Sequence, residues 1–189
     1  RRTGQIAFAM PDVSNPVYTT MVGSIAQVAR AGGSRLILHS TDGDLGDELG
    51  FLEDLKQRYV DGLILVCLEF TAEHAEAVEN AAVPVVVVGT PGKGVKVDSV
   101  RPNSRRGAAD AVKHLYEHGR RRIALVNGPE RTAPGGARKR GYLDALRACG
   151  LDRDDSLIQV ADDFSIAAGT NAVARLVART EPDAIFCAN

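Results

Sequence analysis

The side chains best placed to do chemistry in this 189-residue chain stand just after short apolar runs. Asp12, Ser14, Asn15 and Tyr18 follow QIAFAM at residues 5–10, and Gly89 and Thr90 follow the valines at 85–88. Beyond the run that ends at Val126 lie Asn127, Glu130, Arg131, Thr132 and Arg138. Asp162, Asp163 and Phe164 come shortly after residues 157–160, and Asn189 shortly after Cys187. If each run is a strand of an open parallel sheet, these residues gather outside the carboxyl ends of the strands, where such sheets bind ligands. The set mixes hydrogen-bond donors and acceptors, arginine, and the aromatics Tyr18 and Phe164. Aromatic faces cover the C–H surfaces of a polyhydroxylated molecule while planar polar groups pair its hydroxyls. The chemistry expected is therefore the binding of a small polar ligand.

Signs of catalysis or cofactor binding are sparse. The chain has no GxSxG elbow, no GxxxxGK[ST] phosphate loop and no GxGxxG after the first strand. GTPGKG at residues 89–94 is glycine-rich and follows a strand, but the sequence after it reads as extended. A phosphate cradle needs a helix N-terminus there, so a loop crossing between lobes is the better reading. His114 and His118 share a helix face at a spacing that can ligate zinc, yet no third ligand is evident, so no metal is expected. Arg120, Arg121 and Arg122 fit a helix C-terminus, where cations meet the dipole. The stretch from Asp42 to Asp44 fits turn chemistry. Asp162 and Asp163 fit paired carboxylates or the N-cap of a helix starting near Ser165.

Strands and helices must alternate to position these residues. Strands are expected at residues 5–10, 36–38, 63–66, 85–88, 123–126, 157–160 and 184–187. They are uninterrupted apolar runs, the pattern of parallel strands buried on both faces. Helices are expected at 17–30, 72–81, 104–118, 138–148 and 166–178. A further one carries Leu49, Leu52, Leu55 and Tyr59 at helical spacing. The fold class is α/β. The rhythm breaks at residues 89–100, which predicts two lobes, 1–96 and 97–189. The second is expected to be incomplete, because the chain stops without a helix to cover its last strand.

Bulk composition narrows the function. A net charge of −1, from 23 basic and 24 acidic residues, gives this segment no global field for nucleic acid or acidic membranes. Any contact with DNA is expected from another segment. Cys67, Cys149 and Cys187 are odd in number, widely spaced and set in or beside apolar runs, which predicts free thiols in a reducing compartment. No apolar stretch reaches membrane-spanning length, and no signal peptide is expected at the start.

An ordered set of segments resembles the lactose-repressor (LacI/GalR) family. It comprises IAFAMPDVSNPVY at residues 6–18, VDGLIL at 60–65, PVVVVG at 84–89, and VDSVRPNSRRGAADAVKHLYEHGRRRIALVNGP at 97–129. ARKRGYLDAL at 137–146, DFSIAAG at 163–169 and PDAIFCAN at 182–189 complete it. The resemblance implies a type I periplasmic-binding-protein-like effector domain: two lobes, each a parallel sheet flanked by helices, hinged near residues 89–100. It implies a cytoplasmic repressor that closes on a sugar-like effector and acts as a homodimer. It would read operator DNA through an N-terminal helix-turn-helix lying outside these residues, and the second lobe would continue past Asn189.

By the same resemblance, Asn15, Val17 and Tyr18 line the wall of the first lobe. Arg138, four residues before Tyr142, clamps the effector, Phe164 supplies an aromatic, and Asn189 an amide. Thr90 is the first-lobe contact after the fourth strand. Four positions depart from the family pattern. Val17 replaces a common aromatic, Gly89 and Thr90 stand where many members carry an acidic residue, and Pro102 replaces a frequent aspartate. No cofactor and no catalytic residue is implied. A periplasmic sugar-binding protein of an ABC transporter is the main alternative. An α/β enzyme acting on a sugar or nucleotide through Asp12 or Asp163 is the second.

Overall fold

A computed structural model describes residues 2–189. They form two compact units, the first running to Pro102 and the second from Asn103 to Asn189. In the first unit, β1 (Gln5–Met10), β2 (Arg35–Ser40), β3 (Gly62–Val66), β4 (Val85–Val88) and β5 (Asp98–Val100) build one parallel sheet in the order β2-β1-β3-β4-β5. Alternate residues of β1 point to opposite faces. Ala7 and Ala9 join Leu52, Leu55, Leu63, Leu65 and Val87 on one side. Phe8 and Met10 join Val66, Tyr18, Met21 and Ile25 on the other. Helices therefore cover both faces, which explains why the central strands β1, β3 and β4 are largely apolar runs.

Each helix start is chemically marked. Asn15 caps α1 (Pro16–Ala31), its Oδ1 accepting from the Val17 N–H at 3.1 Å, with Pro16 in the first turn. Asp44 caps α2 (Leu45–Asp54), and Asp47 and Glu48 in its first turn favour the positive end of the dipole. Thr71 caps α3 (Ala72–Glu79). The expected turn at Asp42 to Asp44 is present, with Asp42 and Gly43 at positive φ.

The second unit has a three-stranded parallel sheet, β7-β6-β8, from β6 (Ile123–Asn127), β7 (Ile158–Val160) and β8 (Ala184–Cys187). Ile123 and Leu125 pack with residues of α4 (Ser104–Glu117) and α5 (Ala133–Ala148), including Val112, Tyr142 and Leu146. Ala124 and Val126 pack with Ala168, Ala172 and Leu176 of α6 (Ile166–Val177).

Three expectations need correction. The division falls between Pro102 and Asn103 instead of after residue 96, because Asp98–Val100 pairs with β4 and so belongs to the first sheet. The helix carrying Leu49 and Leu52 ends at Asp54. Leu55–Gln57 is a 3-10 turn, Arg58 reverses the chain at φ 53°, and Tyr59 lies outside. Helix α5 begins at Ala133, five residues before the expected 138. Its first turn holds Gly135 and Gly136, which carry no hydrophobic period to read. Gly135 is dictated by fit, since a Cβ there would lie 2.2 Å from the Pro129 carbonyl oxygen.

Candidate functional site

The carboxyl end of β6 organises the expected residues of the second unit. Ala161 N–H donates to the Asn127 carbonyl at 2.7 Å and Ala188 N–H to that of Val126 at 2.9 Å. These bonds extend the pairing beyond β7 and β8 and bring the segments that follow them side by side. The Asn189 side-chain Nδ2 donates to the Phe164 carbonyl at 2.9 Å. The Phe164 ring lies over Gly128, where a Cβ would fall 2.2 Å from the ring. The Arg138 guanidinium stands 5.7 Å from the Phe164 ring centroid, within cation–π range.

Arg138 reaches this edge because α5 turns on Tyr142. That side chain is fully buried and its hydroxyl donates to the Ile123 carbonyl at 2.8 Å. One turn earlier on the same face stands Arg138. The N-terminus of α5 is secured by Thr132, whose hydroxyl donates to the Pro129 carbonyl at 2.6 Å and accepts from Gly135 N–H at 3.1 Å. Buried Asn127 donates to the Gly135 carbonyl at 3.0 Å, while its Oδ1 has no hydrogen-bond partner among the described residues. Arg138, Phe164 and Asn189 are thus brought together, with Gly128 making room for the ring.

In the first unit, Asn15, Val17 and Tyr18 share the start of α1 beyond the carboxyl end of β1. Asn15 is buried and its Oδ1 is committed to capping, Val17 is about half-exposed, and Tyr18 is half-buried against Phe8 and Met10. Asp12 accepts from both the N–H and hydroxyl of Ser14, at 2.8 and 2.7 Å, which shapes the approach to the helix. Thr90 is exposed beyond β4, separated from β1 by β3. The preceding Gly89 is a steric necessity, because a Cβ there would meet the Cys67 carbonyl oxygen at 2.6 Å.

The other sequence features resolve locally. GTPGKG leads into strand β5 and not into a helix. The His118 Nδ1 lies 2.8 Å from the His114 carbonyl, at the end of α4. Arg121 lies over the Tyr116 ring at 4.1 Å, and its backbone N–H donates to Asp183. Ser165 is the N-cap of α6, accepting from Ala168 N–H at 3.1 Å. Asp163 supports that cap by accepting from Ser165 N–H at 2.7 Å, and hydrogen bonds from Ser165 hold its carboxyl below the ordinary value.

Sequence reasoning missed one cluster, Glu48, Cys67 and His74, all buried in the first unit. His74 Nε2 lies 2.7 Å from Glu48 Oε2, and Cys67 Sγ lies 3.7 Å from His74 Nε2 and 3.8 Å from Glu48 Oε2. Burial, then the Glu48 charge, push the Cys67 thiol up to about 12. Cys67 follows β3, so the strand-end rule pointed at it. Nothing local linked it to residues 48 and 74.

These features define an α/β class with two parallel-sheet units and polar clusters at strand carboxyl ends. A family model described as periplasmic binding proteins and sugar binding domain of LacI family matches residues 3–189. The chain belongs to that family. It is 32% identical to the HTH-type transcriptional regulator DegA of Bacillus subtilis, covering 100% of this chain and 57% of that protein. It is 30% identical to the ribose operon repressor of Escherichia coli, over 100% of this chain and 57% of the repressor. It therefore spans a little over half the length of these relatives, which are transcription regulators. Among solved structures, the transcriptional regulator CelR in complex with cellobiose superimposes with a TM-score of 0.86 at 28% identity, covering 99% of this chain and 59% of that one. A putative LacI-family regulator from Sanguibacter keddieii gives 0.85 at 30% identity, covering 99% and 67%.

Proposed function

We propose that this chain is the effector-sensing part of a DNA-binding transcription repressor. A small polar, sugar-like molecule binds at strand carboxyl ends, and its binding controls operator affinity. The observation that carries this reading is the Arg138, Phe164 and Asn189 cluster at the carboxyl edge of the second sheet. A guanidinium pairs ligand oxygens, an aromatic face covers its C–H surface, and an amide offers both a donor and an acceptor. Asn15, Val17, Tyr18 and Thr90 are the contacts assigned to the first unit.

Only a ligand whose affinity differs between two states of the protein shifts the equilibrium between them. Operator DNA is assigned to an N-terminal helix-turn-helix beyond these residues, acting in a cytoplasmic homodimer. The regulatory relatives support this role, and no catalytic activity is assigned.

The test is a thermal-shift screen over sugars, polyols, nucleosides and purines. A ligand at 100 times its Kd adds about 2.7 kcal/mol to the folded state, enough to move the transition visibly. Arg138→Ala should weaken any hit by roughly 10- to 100-fold, the cost of a hydrogen bond to a charged group. A hit whose affinity is unchanged in that variant refutes the assignment of Arg138.

A further inference from the structure

Three donor types converge in the first unit from three separate elements. Glu48 comes from α2, Cys67 follows β3 and His74 lies in α3, and they are only 4%, 3% and 1% exposed. A buried glutamate–histidine pair has an ordinary reading as a hydrogen bond that ties two helices together. A nucleophilic triad is the other familiar use of cysteine, histidine and a carboxylate. In a triad the carboxylate orients one ring nitrogen while the other serves the thiol.

The geometry here excludes the triad. Glu48 Oε2 and Cys67 Sγ both face Nε2, at 2.7 and 3.7 Å. The second ring nitrogen is occupied, since Nδ1 accepts from the Thr71 N–H at 3.2 Å. Carboxylate, thiol and imidazole therefore point at one another around a common centre, with all three ligand atoms within 4.8 Å.

We propose that Glu48, Cys67 and His74 form a binding site for a divalent transition-metal ion of the zinc class. The donor set selects the ion. Thiolate and imidazole suit zinc or cobalt, whereas magnesium and calcium take oxygen ligands. Two anionic ligands and one neutral imidazole balance a dication, which suits a site removed from water. Bond lengths of about 2.0–2.3 Å in a tetrahedral site separate ligand atoms by roughly 3.3–3.8 Å. The two contacts of sulfur already lie in that range, at 3.7 and 3.8 Å. Only the 2.7 Å separation of nitrogen and oxygen must open, by about half an ångström.

Proton balance follows from the same contacts. The Thr71 N–H bond to Nδ1 places the ring proton on Nε2, facing Glu48. When the ion binds Nε2, the ring changes tautomer: its proton sits on Nδ1 and is donated to Thr71 Oγ1, 3.0 Å away, and the Thr71 N–H gives up its bond to the ring. The Cys67 thiol proton leaves for solvent, so each ion bound releases one proton. The ion would join α2, α3 and the end of β3 directly beneath Gly89, against which the Cys67 carbonyl packs.

The test is cobalt(II) titration of the chain after chelator treatment. Expected are a thiolate-to-cobalt charge-transfer band in the near ultraviolet, visible bands of a tetrahedral ion, and one ion per chain. Zinc should displace the cobalt and raise the melting temperature. Cys67→Ser should abolish the band. His74→Gln should weaken zinc binding by at least the roughly 10- to 100-fold that loss of an outer-shell partner costs. If those variants fail to fold, Cys149→Ser with Cys187→Ser leaves Cys67 as the only thiol and must still show the band. A folded Cys67-only chain without the band overturns the proposal, as does a band that survives Cys67→Ser.

Discussion

Gly128 and Phe164 show how much one missing methyl group decides. A Cβ at position 128 would lie 2.2 to 2.6 Å from three atoms of the ring, so the ring keeps its place only above a glycine. Gly128→Ala should destabilise the second unit by about 1–3 kcal/mol in urea unfolding, the usual cost of overpacking. In a Phe164→Ala background the same change should cost little, and a double-mutant cycle separates the two outcomes. An undiminished cost in that background would mean that some other contact carries the strain. The cysteines make a second contrast at this scale. Cys187 is exposed, whereas Cys67 is buried with its thiol raised to about 12. At pH 8 that leaves roughly one thiol in ten thousand ionised at Cys67. A disulfide reagent should therefore label Cys187 in the folded protein and Cys67 only after unfolding, as mass mapping would show.

At the scale of the element, α4 and α5 approach so closely that the same substitution takes opposite signs on the two helices. A Cβ on Gly141 of α5 would meet the Arg105 carbonyl oxygen at 2.0 Å and the Ala108 methyl at 3.0 Å. Backbone cannot yield as a flexible side-chain end can. Gly141→Ala should cost about 1–3 kcal/mol despite the better helix propensity of alanine. Gly107 of α4 is exposed with nothing within 4 Å of its Cβ position. Gly107→Ala should stabilise by up to about 1 kcal/mol. Thermal unfolding of the two variants checks both signs together. The N-terminus of α5 depends on Thr132, and Thr132→Ala should cost about 1 kcal/mol through loss of the cap. Under the proposed function, that change should also weaken effector binding through the placement of Arg138 on α5.

Across the whole molecule, carboxylates with lowered pKa values occur in both units. Asp61 is lowered mainly by the Thr3 backbone N–H, and Asp144 by the Arg105 side chain. Asp154 is lowered by Ser156 and Asp163 by Ser165. A folded-state value below the unfolded one means that the unfolded chain binds protons first as pH falls. The stabilisation is present above the unfolded value, about 3.9 for aspartate, and disappears as pH drops through the folded values. Stability should hold from neutrality to about pH 5 and decline below about pH 4, measurable as urea midpoints across that range. Asp144→Asn should make the decline shallower. An unchanged acid limb would place the responsible groups elsewhere. No described helix is long and apolar enough to cross a membrane.

Much of the architecture was legible because its causes are local. A strand buried on both faces must be apolar at every position, so β1, β3, β4 and β6 stand out as unbroken runs. The caps at Asp44 and Ser165 were less legible, because the sequence points to a turn at Asp42 to Asp44 and to Asp162 or Asp163 as the cap of α6. Strand-end logic and family resemblance single out Arg138, Phe164 and Asn189 as candidates. Their mutual contact was not legible, because it depends on how β7 and β8 register against β6. The unit boundary at Pro102 rests on β5 pairing with β4, and the start of α5 on a glycine beneath a carbonyl. Glu48 and His74 lie 26 residues apart, and Cys67 lies 19 from Glu48, so only the packing of α2 and α3 on β3 makes them neighbours. Local backbone preference acts on adjacent residues and is written in their order. Convergence of distant side chains depends on register and interhelical distance, and those are decided by the packed tertiary structure.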